Sequence, residues 1–468
     1  MRTKALVAIF SCVVTVIFPL QTFAQNTLVL DEHPRYQALP YPDRIILLPG
    51  TQGELSYQVS WRTDESVAIA EAEIVLSGNS PALSVDAKTV RGNTQALSAG
   101  NGLAHHHAVE FSQLASNTLY AYRVKGAGVW SEWFQFRTPD IETPFPFEVL
   151  YFGDAQNSVK SLFSRVVRQA VLSTRNPALM IHAGDMIDRM GNQDNNWGEW
   201  FDALDWVAPS LLQLPVAGNH EYNETTLPPQ RVPQWDAQFV SADNGPVGFG
   251  QTVFYSDYQK VRFVVLDSTR AIHDENAAIA QAGWLAKVLS DNDSLWTVVI
   301  YHHPMVSVSH GIPNPILTRH WQPLFDQYGV DLVLQGHDHV YGRGTLTNTG
   351  NQSLGPVYIV SVAGPKMNLV SRAATEALSV TGEDVQLYQS IRFSGSQLSF
   401  ESRTAAGDIY DSFQLSRLAD GTKELIDATS TRQGLKGSDC KNSSPVAAQI
   451  DAGGVARPGR CWDGIGWQ

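Results

Sequence analysis

Cysteine is nearly missing: Cys12, Cys440 and Cys461 are the only three in 468 residues. That scarcity excludes a thiolate metal cluster and a disulfide-dense scaffold. Cys12 falls in an N-terminal apolar run, which leaves Cys440 and Cys461 as the one expected disulfide, in a Gly- and Ser-rich tail. Basic residues are also short, 33 Lys and Arg against 46 Asp and Glu, for a formal charge of −13. Such a chain has no global field for gathering nucleic acid, and none is expected as a partner; a locally positive cleft is still compatible with the balance. The apolar run from Ala5 to Phe18 is short for a bilayer and polar sequence follows it at once, so no membrane span is expected. With Arg2 and Lys4 before it and Thr22-Phe23-Ala24 after it, residues 1–24 read as a secretory signal peptide cut before Gln25. A lipid anchor on Cys12 fits less well, because Phe10 is a poor neighbour and the apolar run continues beyond it. The expected location is periplasmic or secreted.

What is present is a large core. Hydrophobic residues make up 43% and aromatics 10%, and the length suits two or three domains. Residues 41–138 read as all-β: Tyr57, Val59 and Trp61 alternate along one strand, and Tyr120, Tyr122 and Val124 along another. An inward Trp followed by Leu114, Thr118, Tyr120 and Tyr122 resembles a fibronectin type III sandwich with its tyrosine corner. His105, His106 and His107 cannot all face one way from a strand, so a surface strand or turn is expected rather than a metal site. Pro139, Pro144 and Pro146 mark a stiff linker. Beyond it strands and helices alternate. Leu162, Val166, Val167, Ala170 and Val171 form one helical stripe, and Trp284, Leu285, Val288 and Leu289 another. Residues 418–468 are expected to be irregular apart from the disulfide.

Five short apolar runs each end in metal-type ligands. Residues 147–152 lead into Gly153-Asp154-Ala155-Gln156, and 178–181 are followed by Gly184-Asp185-Met186-Ile187-Asp188. Residues 214–217 meet Gly218-Asn219-His220-Glu221, 296–301 meet His302-His303-Pro304, and 330–334 precede Gly336-His337-Asp338-His339. Short apolar runs rich in β-branched residues read as buried strands, and in α/β sheets ligands gather beyond their carboxyl ends. One site assembled from five strand ends, with Asp, Asn and His donors, suits two divalent cations and the hydrolysis of a phosphate ester. Taken singly, an Asp after a strand is usually a helix cap, and His182, His303 and His320 read as packing groups.

This series of motifs resembles the calcineurin-like metallophosphoesterases and, with a fibronectin-like domain in front, their purple acid phosphatase branch. The resemblance implies a four-layer αββα catalytic domain over 147–417. It implies that Asp185 bridges two metals (Zn, Mn or Fe), with Asp154 and His339 on the first and Asn219, His302 and His337 on the second. His220 would touch the phosphoryl group or protonate the leaving oxygen, Glu221 could orient it, and His310 would stand on the substrate side. The implied reaction is hydrolysis of small phosphomonoesters by a metal-bound hydroxide. A phosphodiesterase or nucleotide hydrolase on the same scaffold, or a non-catalytic surface protein, are the alternatives. Two positions depart from the pattern. The branch's metal-binding tyrosine is replaced by Asp188, and a histidine common in the wider family is replaced by Gln156, so either could be an added ligand or could support one.

Overall fold

The computed structural model describes residues 34–188, 192–240, 242–346, 354–429, 449–450 and 456–457. The expected leader and both Cys440 and Cys461 lie outside them. Among the described residues no helix is long and apolar enough to cross a membrane.

Two four-stranded antiparallel sheets form the N-terminal sandwich. Asp43–Pro49, Tyr57–Thr63, Gly102–Phe111 and Asn93–Ala99 are neighbours in one; Lys88–Arg91, Glu71–Leu76, Leu119–Val124 and Phe134–Arg137 in the other. Tyr57, Val59 and Trp61 face inward with Tyr122, Val124 and Phe136, as alternation requires. The Tyr120 hydroxyl accepts from the Ala115 N–H at 3.0 Å, which makes the tyrosine corner. The three adjacent histidines correct the expectation of a surface strand. They lie on the strand Gly102–Phe111, where His106 and His107 are buried and His107 stacks on Trp61.

Burial on both faces of these strands has a cause: the sandwich packs against the second domain. Ile46 and Leu48 join the same apolar cluster as Trp197, Phe201 and Val207. Arg44 donates to Gln238 Oε1 at 2.8 Å and to the Asp194 carbonyl at 2.6 Å, and Tyr122 donates to the Pro209 carbonyl at 2.7 Å.

The second domain contains two seven-stranded sheets face to face. In one, Leu212–Pro215, Leu179–His182 and Phe147–Phe152 run parallel, and Leu387–Ser394, Gln397–Thr404, Ile409–Arg417 and Lys423–Thr429 continue as an antiparallel meander. In the other, Val261–Val265, Trp296–Ile300, Leu332–Gln335 and Val357–Val360 run parallel, flanked by antiparallel strands. Alternate residues of each strand face opposite ways. Val149, Ile181, Val298 and Leu334 meet between the sheets, while Leu150 and Met180 pack under the helices Ser164–Ser173 and Gln193–Leu204. Val264, Val299 and Val333 pack under Glu275–Ser290 and its neighbours. Strands covered on both faces must be apolar throughout, which is why the runs look continuous in sequence. The result is the expected αββα order of layers. The tail differs from expectation: Lys423–Thr429 is a strand of the first sheet, so the fold extends past residue 417.

Candidate metal centre

The five ligand-bearing strands end on one side of the paired sheets, three from the first sheet and two from the second. Two groups of side chains converge there, Asp154 with Asp185 and His339, and Asp185 with His302 and His337. Asp185 belongs to both.

In the second group, His302 Nε2 lies 3.2 Å from Asp185 Oδ1, 3.1 Å from Asn219 Oδ1 and 3.2 Å from His337 Nδ1. Asn219 Oδ1 is also 3.0 Å from His337 Nδ1. The other nitrogen of His302 is 2.8 Å from the Ala183 carbonyl, which can only accept, so Nδ1 carries a proton and Nε2 faces the cluster. Carboxylate, amide oxygen and two imidazole nitrogens therefore crowd one point. A single proton cannot serve all of them, whereas a divalent cation can. Burial pulls the His302 imidazole down, but Asp185 and Asp154 outweigh it and hold it at about 10, a sign of how strongly this point demands positive charge. Burial, helped by His302, lowers His337 to about 3, which keeps its lone pair available.

In the first group, Asp154 Oδ2 accepts from the His337 N–H at 2.6 Å, while its buried Oδ1, 3.8 Å from His339 Nε2, and the Nδ1 of His339 have no hydrogen-bond partner among the described residues. Burial above all pushes the Asp154 carboxyl well above its usual range. Gln156 fills the gap: its Nε2 is 2.9 Å from both Asp185 Oδ2 and His339 Nε2, and its Oε1 is buried without a partner. A half-turn of the amide would offer that oxygen to the same space. Orphaned donor atoms on Asp154 and Gln156 fit a second cation here.

Close approach makes this possible. A Cβ on Gly218 would stand 2.3 Å from Asp185 Oδ1, and one on Gly336 2.4 Å from Asp154 Oδ2. His337 and His339 both adopt left-handed backbone, φ 73° and 53°, so a turn rather than an extended strand brings both rings toward one cleft.

Not all of the remaining expected residues reach these groups. His220 donates its backbone N–H to Asp185 Oδ1 at 2.9 Å, and its ring lies 3.8 Å from both Asp185 Oδ2 and Asp188 Oδ1. Asp188 is thus beside His220, with its other oxygen held by Asn157 at 2.8 Å, and it belongs to neither ligand group. Glu221 does not orient His220 through any contact described. Its carboxylate accepts from the backbone N–H groups of Gly218, Asp185 and Met186 at 2.7, 2.9 and 2.9 Å, binding two ligand loops together. His303 bonds to Ser268 and packs on His337 at 4.3 Å between ring centroids. His182 hydrogen-bonds Gln213 in the core and His320 pairs with Glu275. His310 is on an exposed turn outside both ligand groups, its Nδ1 2.9 Å from Ser309 Oγ. Sequence reasoning passed over Asp338, whose carboxylate accepts from the N–H groups of Val308 and Ser309 and from both Ser307 and Ser309 hydroxyls. An Asp between two ligand histidines was the available signal.

Comparison with known proteins agrees with this geometry. Residues 148–341 match the family model for calcineurin-like phosphoesterases, and 42–138 the purple acid phosphatase N-terminal domain. An uncharacterized protein of Mycobacterium tuberculosis is 26% identical over 366 residues, 68% of this chain and 67% of that one. The Fe(3+)-Zn(2+) purple acid phosphatase 12 of Arabidopsis thaliana is 25% identical over 255 residues, only 52% of either chain. The fold matches that of purple acid phosphatase PPD1 from yellow lupin (Lupinus luteus) seeds, with a TM-score of 0.68 at 18% identity over 81% of this chain and 75% of the other. Motif order, site geometry and both matched domains agree: residues 148–341 form a calcineurin-like phosphoesterase domain, a hydrolase of phosphate esters, and the chain is built as the purple acid phosphatases are.

Proposed function

We propose that this protein is an exported phosphomonoesterase working with two divalent cations. The observation that carries the reading is the pair of side-chain groups sharing Asp185, one crowding a carboxylate, an amide oxygen and two imidazoles at a single point, the other holding buried atoms of Asp154, Gln156 and His339 that lack a hydrogen-bond partner among the described residues. Asp154, Gln156 and His339 would hold one ion, Asn219, His302 and His337 the other, and Asp185 both. When bound, such a pair supplies Lewis acidity toward the phosphoryl oxygens and an acidified water as nucleophile.

The chain's own groups do the rest. Glu221 fixes the spacing of the loops that carry Asp185 and Asn219, so the phosphoryl group meets a preorganised surface. The His220 ring, flanked by Asp185 and Asp188, is placed to give a proton to the leaving oxygen. Asp188 stands on the Nδ1 side of that ring, its Oδ1 3.8 Å away. A cavity of about 650 Å³, lined by Tyr222, Asn223, Glu224 and Arg231 among others, begins two residues past His220 and offers room for the organic part of the substrate. The leader-like residues 1–24 support export.

The test is a screen of mono- and diesters with the metal-replete protein, with and without chelator. Chelator-sensitive turnover of monoesters is expected, and His220→Ala is expected to keep the metals while losing about 100-fold in turnover, the usual scale for a general acid. Turnover of diesters alone would replace the monoester reading, and turnover that survives metal removal would overturn the metal reading.

A further inference from the structure

We propose that Lys366 is a substrate-binding residue of this centre, its ammonium holding a phosphoryl oxygen so that dianionic monoesters are favoured over monoanionic diesters; this rests on the phosphatase reading above. Lys366 lies in the loop that follows the strand Val357–Val360, and that loop is pinned to the centre at both ends. On one side the Gly364 N–H donates to the Asp154 carbonyl at 2.6 Å. A Cβ there would stand 2.7 Å from the carbonyl oxygens of both Asp154 and Gln156, so only glycine allows the loop so close. On the other side the Asn368 N–H donates to the His339 carbonyl at 3.2 Å, and its side chain donates to the Asp338 carbonyl at 3.0 Å. Lys366 is the midpoint of that bridge, over the Asp154, Gln156 and His339 side of the site, and it is half-buried.

Its charge reaches the ligands, acting on Asp154, His337 and His339. The other half-buried lysines among the described residues are paired with carboxylates, Lys160 with Asp202, Lys423 with Asp331 and Lys125 with Glu71, whereas Lys88 and Lys287, which have no such pair, are exposed. Lys366 has no such ion-pair partner among the described residues. A half-buried ammonium beside a site that gathers two cations is repelled by them, so a purely structural lysine would be out of place. An anionic substrate removes the conflict by placing negative charge between the ions and the ammonium. A monoester dianion keeps one more negative charge than a diester and gains more from this contact.

The experiment compares wild type with Lys366→Met, which removes the charge at similar length, and Lys366→Arg, which keeps it. Metal content, binding of inorganic phosphate by calorimetry, and steady-state kinetics with 4-nitrophenyl phosphate and bis(4-nitrophenyl) phosphate are measured on metal-replete protein. Lys366→Met is expected to keep its metals, bind phosphate about tenfold more weakly and raise KM for the monoester about tenfold, as suits loss of one charge-assisted hydrogen bond. The diester should change much less, and Lys366→Arg should stay close to wild type. Unchanged phosphate affinity, equal losses on both esters, or loss of metal from Lys366→Met would each overturn the proposal. Phosphate binding also separates the two readings. If wild type hydrolyses neither ester, the phosphatase reading fails, and weaker phosphate binding by Lys366→Met would still support the lysine's role.

Discussion

Asp185, His337 and His339 all carry left-handed backbone angles, at φ 48°, 73° and 53°, where L-residues pay a steric cost. Such outliers persist when their surroundings over-determine them, and here Glu221 and the facing glycines do so. The two departures from the family pattern act differently. Gln156 reaches Asp185 and His339 and is the candidate extra ligand, while Asp188 stands beside His220. No described tyrosine replaces the missing one: Tyr222 donates to Asp267, Tyr341 to Asp411 and Tyr151 to the Gln335 carbonyl. Without a tyrosinate on iron there is no strong visible charge-transfer band, so the metal-replete protein is expected to be active and colourless. A visible absorption spectrum checks this, and an intense band would mean that a tyrosine has entered the site. The candidate ligands were legible because each stands where an apolar run stops. The roles of Glu221 and Asp338 were not, because their backbone partners are brought close only by folding.

The turn 307–310 depends on an element far away in sequence. Asp338 lies in the turn between the strands Leu332–Gln335 and Tyr341–Thr345, and it gathers two N–H groups and two hydroxyls of that turn. Asp338→Ala leaves those donors without their acceptor and releases the turn that carries His310. If His310 faces the substrate, that variant is expected to keep its metals and lose about tenfold in kcat/KM, the scale of one misplaced positioning group. Metal analysis and steady-state kinetics check this; full activity would mean that the turn and His310 are dispensable. Among strands, those buried on both faces were easy to read, since they are apolar throughout. Lys423–Thr429 was missed because an edge strand carries charges, here Lys423, Glu424 and Asp427, which look like irregular tail. The histidine strand misled for a related reason: its outer face is covered by the second domain, which alternation within one strand cannot reveal.

At the scale of the whole molecule, the sandwich and the catalytic domain share a core, and several buried histidines make the fold sensitive to acid. Burial lowers His182 to about 4, with Gln213 opposing, and burial and His105 lower His107 to about 4. Between about 6.5 and 4 the unfolded chain takes up protons that the fold refuses, so this stability is complete above about pH 6.5 and is lost as pH falls toward 4. Each fully buried imidazole costs on the order of 1 kcal/mol per pH unit in that window. Melting curves of metal-free protein from pH 7 to 4.5 are expected to show a shallower fall for His182→Gln than for wild type; equal slopes would contradict it. The domain order and the site's composition could be read from sequence, but the docking that covers His106 could not, because it depends on surfaces that meet only in three dimensions; His107 is buried on the other face, against Trp61 inside the sandwich. Above all, the account needs two metal ions sharing one carboxylate. Elemental analysis of metal-replete wild type beside Asp185→Asn tests that most directly. Two divalent ions per chain are expected in wild type and fewer than one in the variant; a single ion in wild type, or two retained after Asp185→Asn, would contradict it.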